Sequence, residues 1–141
     1  MGPNDVELVR VFTREVDAPV ADITFPYNSP FEVIVDAEVG SSLHGTGGQF
    51  EVGVIVRDLT TGGVLTSAVA AIPNTPPPGA SANFGSAPWS NPGNQKFVYR
   101  IQRLPRFDED HICEVLAWLR VGIQNPDVSF ARSPLFIIQR R

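Results

Sequence analysis

Cysteine, histidine and methionine are scarce in this chain of 141 residues, which contains one Cys, two His and one Met. A single cysteine excludes an internal disulfide and fits a reducing compartment, so we slightly favour the cytoplasm. The two histidines and Cys113 are the only nitrogen or sulfur ligands, which argues against a zinc site. The start, Met-Gly-Pro-Asn-Asp, lacks the basic and apolar regions of an export signal. A mature secreted segment with an added Met would read the same way, so the localisation stays open.

Long apolar runs and an excess of positive charge are also lacking. No apolar run approaches the roughly 18 residues of a membrane-spanning helix, so we expect no membrane partner. The net charge is −4, which argues against nucleic acid. Residues 1–58 carry a net charge of −7 and the remainder +3, so we predict charge pairs between antiparallel strands of the two halves. A functional bipolar surface is the alternative.

What the chain does have is 43% hydrophobic residues, 13 Pro and 12 Gly, which predicts one soluble, turn-rich domain spanning residues 1–141. The longest apolar stretch, 111–123, alternates with a period of two and predicts a central strand. Its inward face holds Cys113, Val115, Ala117, Leu119, Val121 and Ile123, and its other face carries Ile112, Glu114, Leu116, Trp118 and Arg120. That second face is predicted to be only partly covered.

The remaining alternation predicts further strands and no helix. We place them at 6–13, 31–39, 50–56, 64–72, 96–102 and 130–139, with a short strand at 20–24. Strand 31–39 is predicted to have one buried face and one exposed acidic face, and 64–72 to form a hairpin with 50–56. Gly-rich residues 40–48 are predicted to be a loop, and Pro134 to mark a bulge or an edge. The fold class is therefore all-β, an antiparallel two-sheet sandwich of seven or eight strands.

This order of strands resembles an immunoglobulin-like or fibronectin type III-like sandwich, with 31–39 as the second strand and 50–56 as the third. Cys113 then lies near the position of the second disulfide cysteine of immunoglobulin domains. The other position of that pair falls among Val33, Val35 and Ala37, so no bridge forms, and no tyrosine stands two residues before Cys113. The resemblance is one of architecture, because no family motif matches, and it implies no activity.

Residues 73–95 form a Pro- and Gly-rich segment without an apolar period. A long loop of this kind in a compact domain is usually functional or mobile. It contains Phe84 and Trp89, which gain nothing on a flexible chain unless they pack on the domain or on a partner. A structural lid, a recognition loop and plain disorder are therefore the three interpretations. The segment 73–78 also has the spacing of a polyproline II ligand but lacks an adjacent basic residue.

Few residues are arranged for chemistry. Asp108, Glu109 and Asp110 precede the central strand and are a weak candidate for calcium, although a solvated turn explains them better. An esterase interpretation of the glycine-rich loop after His44 would require a Gly-x-Ser-x-Gly motif elsewhere in the chain, and the sequence has none. Cys113 is predicted to be a small core residue. No catalytic triad can be nominated. We therefore predict no enzyme activity and no cofactor.

The leading hypothesis is a non-enzymatic protein-interaction module, which binds a protein partner or associates with itself. The candidate binding residues are Trp89, Phe84, Trp118, Leu116 and Ile112. One alternative is a structural subunit of a larger assembly that uses edge strands and sheet faces. Another is a carbohydrate-binding or calcium-dependent domain, in which Trp89 and Tyr27 would stack on a sugar.

Overall fold

The computed structural model describes residues 6–27, 29–65, 69–71, 81–85, 89–101, 109–122 and 127–140. Within these ranges the chain forms strands and a single helical turn. The elements are β1 (Val6–Glu15), β2 (Thr24–Pro26), β3 (Phe31–Val39), α1 (Ser41–His44), β4 (Gln49–Asp58), β5 (Val69–Ala71), β6 (Ser81–Asn83), β7 (Gly93–Ile101), β8 (His111–Val121), β9 (Asp127–Arg132) and β10 (Phe136–Gln139).

Two sheets pack face to face, as the alternating sequence predicts. The first sheet has the order β1-β3-β7-β5, and the second has the order β2-β10-β8-β4-β6, with β9 also paired to β8. The predicted all-β sandwich is confirmed, but the second sheet is mixed because β2 runs parallel to β10. Side-chain alternation reports which face a residue occupies and not the direction of its strand, so the sequence could not show this. No helix in the described part of the chain is long and apolar enough to span a membrane.

The core lies between the sheets and is built mainly from the inward positions of β3, β4, β7 and β8. The predicted inward set of β8 is buried from Cys113 to Val121, and Ile123 lies outside the described residues. The inward residues of β4 in the same sheet and of β3 and β7 in the facing sheet are buried as well: Phe31, Val33, Val35, Ala37, Phe50, Val52, Val54, Val56, Phe97, Tyr99 and Ile101. β8 is therefore an interior strand with β4 on one side and β10 and β9 on the other.

The predicted hairpin between 50–56 and 64–72 is wrong beyond Leu65. The turn forms, because the Gly62 amide donates to the Asp58 carbonyl at 2.8 Å, and Arg57 bridges to Val64. The chain then leaves β4, and β5 pairs with β7 in the other sheet. The Ala-rich sequence of 67–71 specifies no particular neighbour, so the open edge of β7 decided its place.

The predicted loop at 40–48 contains a helical turn. In α1 the His44 amide donates to the Gly40 carbonyl at 3.0 Å and the Gly45 amide to Ser41 at 2.9 Å. The His44 ring is buried, and its Nε2 lies 2.8 Å from the Trp89 carbonyl oxygen. A tertiary contact therefore stabilises a turn that is too short to be stable alone.

The outer face of β3 is not exposed as predicted, because Glu32 and Ile34 are buried there. Glu32 accepts hydrogen bonds from Arg14 Nε at 3.0 Å, Arg100 Nη2 at 3.2 Å and the Asp17 amide at 3.0 Å. Burial raises the pKa of Glu32, but these donors outweigh burial and hold the pKa below its ordinary value. The ion pair with Arg100 is one of the predicted charge pairs between the two halves of the chain.

Candidate functional site

The outer face of the second sheet carries partly exposed apolar side chains across its middle. Ile55 on β4 lies opposite Leu116 on β8, and Gly53 lies opposite Trp118. On the other side of β8, Phe130 of β9 lies opposite Trp118. Ile55, Leu116 and Trp118 are half-buried, whereas the Phe130 side chain is 68% exposed. We call Ile55, Leu116, Trp118 and Phe130 the apolar row.

Trp118 lies flat on the sheet because its cross-strand neighbour is a glycine. A Cβ atom placed on Gly53 would lie 1.9 Å from Cζ2 of the Trp118 ring, so the ring occupies the space of the missing side chain. The indole Nε1 donates to Glu51 Oε1 at 3.3 Å. These two contacts fix the ring and leave one of its faces toward solvent.

Phe130 points outward because a β-bulge separates β9 from β10. β8 pairs Leu116 with Arg132 but Cys113 with Phe136, so the outer strands have one residue more than β8 over this span. An extra residue exchanges the two faces of a strand. Phe130 therefore faces solvent while Phe136 is fully buried.

The bulge lies at Ser133 and Pro134, where the sequence predicts a bulge or an edge. The Ser133 amide donates to the Val115 carbonyl at 2.9 Å, and Ser133 Oγ accepts from the Val115 amide at 2.9 Å. The serine side chain thus replaces a backbone acceptor that the bulge removes from the ladder. Sequence reasoning did not identify Phe130 as a surface residue. The sequence signal for its exposure was Pro134. Phe130 and Phe136 would share a face in a regular strand, and a bulge at the proline places them on opposite faces.

Charged side chains flank the apolar row on both sides, toward the two ends of β4 and β8. At one end Arg57 Nη1 lies 3.2 Å from Glu114 Oε1, which is a second predicted pair between the halves of the chain. At the other end Glu51 lies opposite Arg120. We call Arg57, Glu114, Glu51 and Arg120 the charged corners. A cleft of about 110 Å³ beside the second pair is lined by Gln49, Phe50, Glu51, Ser81, Arg120 and Gly122.

The structure brings together three of the predicted binding residues and separates two. Ile112, Leu116 and Trp118 share the outer face of β8, as the alternation predicts. Phe84 and Trp89 instead lie in the core, at 3% and 0% exposure. They pack with Phe50, Phe97 and His44 in an aromatic cluster whose ring centroids lie 4.9 to 6.1 Å apart.

The described part of the 73–95 segment therefore folds back on the domain. β6 pairs with β4, and the Phe84 amide donates to the Gly48 carbonyl at 3.0 Å. Residues 73–80 and 86–88 lie outside the described ranges, and with them the polyproline segment. Phe84 and Trp89 are unavailable to a partner while the core is intact.

A buried polar cluster at the end of the core combines Asp58 and His111. His111 Nδ1 lies 2.5 Å from Asp58 Oδ2, and Thr61 Oγ1 donates to the same oxygen at 2.9 Å. Burial raises the pKa of Asp58, but the His111 and Thr61 hydrogen bonds outweigh it and lower the pKa. Sequence reasoning missed Asp58; the signal was its inward position in the alternation of β4, opposite the inward Cys113.

The cluster lacks an activated nucleophile in the described residues. Burial and the Asp58 carboxylate raise the pKa of the Cys113 thiol to about 12, so the thiol stays protonated at neutral pH. Asp58 Oδ1 accepts hydrogen bonds from the amides of Thr60 and Thr61 at 3.1 and 3.4 Å. The Asp58–His111 pair thus closes the turn after β4 and ties it to β8.

The calcium candidate is only partly described. Asp108 lies outside the described residues, Glu109 is exposed, and Asp110 Oδ1 accepts from the Arg140 amide at 2.8 Å. Within the described ranges, no group of three or more His, Cys, Asp or Glu side chains is placed to hold a metal ion. The calcium site therefore stays a prediction.

The sequence matches no protein-family model, and no curated protein is significantly similar to it.

Proposed function

We propose that the chain is a non-enzymatic protein-interaction module with an immunoglobulin-like sandwich, and that it binds through the outer face of its second sheet. The observation that carries this proposal is the apolar row, in which Phe130 is 68% exposed beside the flat ring of Trp118. Contiguous apolar surface rimmed by polar groups is typical of interaction sites. Trp and Arg are also the residues that most often dominate binding energies, and both occur on this face.

The order of the strands supports the immunoglobulin-like part of the proposal. If β1, β3, β7 and β5 are matched to strands A, B, E and D, the first sheet has the order of an immunoglobulin sheet. β4, β8 and β10 then match strands C, F and G of the other sheet. One departure is β6, which follows β5 in the chain, whereas the additional strands of a variable domain precede strand D. The free Cys113 is another.

The distribution of burial supports a surface on the sheet rather than in the 73–95 segment. Both aromatic residues of that segment are in the core, so a sugar has no exposed Trp89 face on which to stack. Edge pairing in a larger assembly is less well supported, because β2, β5 and β6, which lie at ends of the two strand orders in the described part of the chain, each have only three residues. Very short edge strands are a feature that limits edge-to-edge association.

Site-specific photo-crosslinking in cells that express the chain tests this proposal. A benzoylphenylalanine placed at Val128, which is 42% exposed beside the apolar row, should form covalent adducts with protein. The matched control is Val9 on β1, which is 45% exposed at the other sheet. We expect adducts from position 128 that disappear when Phe130→Asp is added, and few from position 9. Equal labelling from both positions, or none from position 128, would contradict the proposal.

A further inference from the structure

We infer that the partner of this face is a second copy of the chain, bound about a twofold axis that lies in the interface and runs across the strands. This inference rests on the proposed function, because it names the occupant of the same surface. It is carried by the arrangement of the charged corners around the apolar row.

The charged corners are symmetric about one cross-strand pair. Val54 of β4 lies opposite Ala117 of β8. Each corner residue stands three positions from that pair along its own strand, and the signs alternate around the face. Going around it, the corners are Arg57, Glu114, Arg120 and Glu51. The face therefore has no net charge at its corners and a sign pattern that inverts from one end to the other.

A twofold axis across the strands at the level of Val54 and Ala117 places each strand antiparallel to its copy. Arg120 of one copy then faces Glu114 of the other, and Glu51 faces Arg57. Opposite charges face each other at all four corners of one copy, because every corner changes sign between the two ends. Glu114 contributes through its ion pair with Arg57, since its own side chain is only 10% exposed. Such complementarity between facing surfaces selects a partner and fixes its orientation.

The apolar row is self-complementary about the same axis. The axis exchanges Leu116 with Trp118, so each indole packs on a leucine of the other copy. It exchanges Ile55 with Gly53, which sets the Ile55 side chain over the part of the Trp118 ring that covers Gly53. On β9 it exchanges Phe130 with the exposed Arg132, an arrangement that suits stacking of a guanidinium on a ring. An unrelated partner would have no reason to require these three matches on one face.

The size of the face predicts a weak dimer. Four strands about 4.8 Å apart, with about seven residues rising about 3.4 Å each, span roughly 450 Å². Stable complexes bury about 800 Å² on each partner, so we expect a dissociation constant of the dimer in the micromolar range or above. Association should therefore depend on concentration.

Sedimentation velocity of the full chain between about 1 and 500 µM tests the inference with charge-reversed variants. In R57E/E114R and in E51R/R120E, both cross-strand neighbours exchange sign, so each variant keeps its net charge. R57E/E114R also keeps an ion pair between its two positions, whereas E51R/R120E removes the hydrogen bond from the Trp118 indole to Glu51. Each variant alone would bring like charges together at every corner. A mixture of the two restores opposite charges at every corner.

We expect the unsubstituted chain to dimerise, each variant to associate at least tenfold more weakly, and the equimolar mixture to recover the original association. Thermal unfolding of each variant shows that it is folded. A chain that stays monomeric throughout, or variants that dimerise like the original, would overturn the inference. Crosslinks from position 128 to a different protein, with a monomeric chain, would retain the proposed function and reject the second copy as its partner.

Discussion

The two outer faces of this sandwich are built from similar strands, but one face is covered by side chains and the other is partly exposed. On the first sheet, Glu32 is enclosed by Arg14 and Arg100, and Ile34 lies between Phe12 and Val98 on the neighbouring strands. On the second sheet, the charges lie at the ends and the aromatic residues occupy the middle. The buried carboxylate of Glu32 draws an arginine from each neighbouring strand over the start of β3, and Phe12 and Val98 flank Ile34 beside it. On the second sheet the middle of the face stays partly exposed.

The difference shows that neighbours, more than a strand's own sequence, decide whether its outer face is available. β3 and β4 both alternate apolar residues with charged ones. β3 has arginines opposite Glu32 on both sides, at Arg14 and Arg100. β4 has a glycine at its centre that lets Trp118 lie flat. The first arrangement stabilises the fold, and the second provides a smooth apolar surface.

Removing the buried charge of the closed face should have the largest effect. Glu32→Gln keeps the shape of the side chain but leaves two arginines without their carboxylate, and we expect a loss of about 2 kcal/mol in the free energy of unfolding. Arg14 and Arg100 are partly exposed, which keeps the loss below that of a fully buried pair. Urea denaturation measures it. Glu38→Gln, on the same strand and face, is the control and should change stability by less than about 0.5 kcal/mol.

The contribution of Glu32 to the free energy of unfolding should depend on pH. Because the folded pKa of Glu32 lies below its ordinary value of 4.5, its contribution is fully present above that value and is lost as the pH falls through the folded pKa. The difference in stability between the original chain and Glu32→Gln should therefore be constant near neutral pH and shrink in acid. Unfolding curves at several pH values test this. A difference that grew on acidification would contradict the assignment of a lowered pKa.

Filling the centre of the open face should have a smaller effect. Gly53→Ala places a methyl group inside the space of the Trp118 ring, so the ring must move, and we expect a loss of about 1 to 2 kcal/mol. Trp89 is fully buried and supplies a constant background, so a red shift of tryptophan fluorescence would report greater exposure of Trp118. Gly63→Ala is the matched control, since a Cβ there would meet only Thr61 Oγ1 at 3.4 Å.

The smallest change in stability should come from the most exposed aromatic ring. Phe130→Ser removes a side chain that contributes little to the core, so the free energy of unfolding should change by less than about 0.5 kcal/mol. Association between copies should nevertheless weaken. A loss of 2 kcal/mol or more would show that the ring packs within the fold, and the contrast between the two faces would then disappear.

Much of the fold was predictable because alternation directly reports which residues face the core. The strands at 6–13, 31–39, 50–56 and 96–102, and the inward face of β8, were obtained in this way. The positions of β-bulges were harder to predict from the sequence. In β1 the register shifts between Leu8 and Arg10, so Val9 is exposed while Leu8 and Val11 are buried, which the sequence left ambiguous.

The candidate site was predictable only in part. Ile112, Leu116 and Trp118 belong to one strand, so alternation alone places them on one face. Phe130 reaches that face through pairing and a bulge. Glu32 is held by Asp17 and Arg14, which lie 15 and 18 residues away in the sequence, and Asp58 by His111, which lies 53 residues away. Single-strand patterns contain no information about such partners. Aromatic residues in a Pro-rich segment were equally compatible with the core and with the surface.

The sequence by itself determined that this chain forms a two-sheet β-sandwich with β8 at its centre, because the period of apolar residues fixes the element and its buried face. Only the tertiary structure decided which outer face is closed and which is open. That depends on the register between strands, on the bulge at Ser133 and on the glycine opposite Trp118. Each of these brings together residues that are distant in the chain, and their contacts are set by packing rather than by local preference.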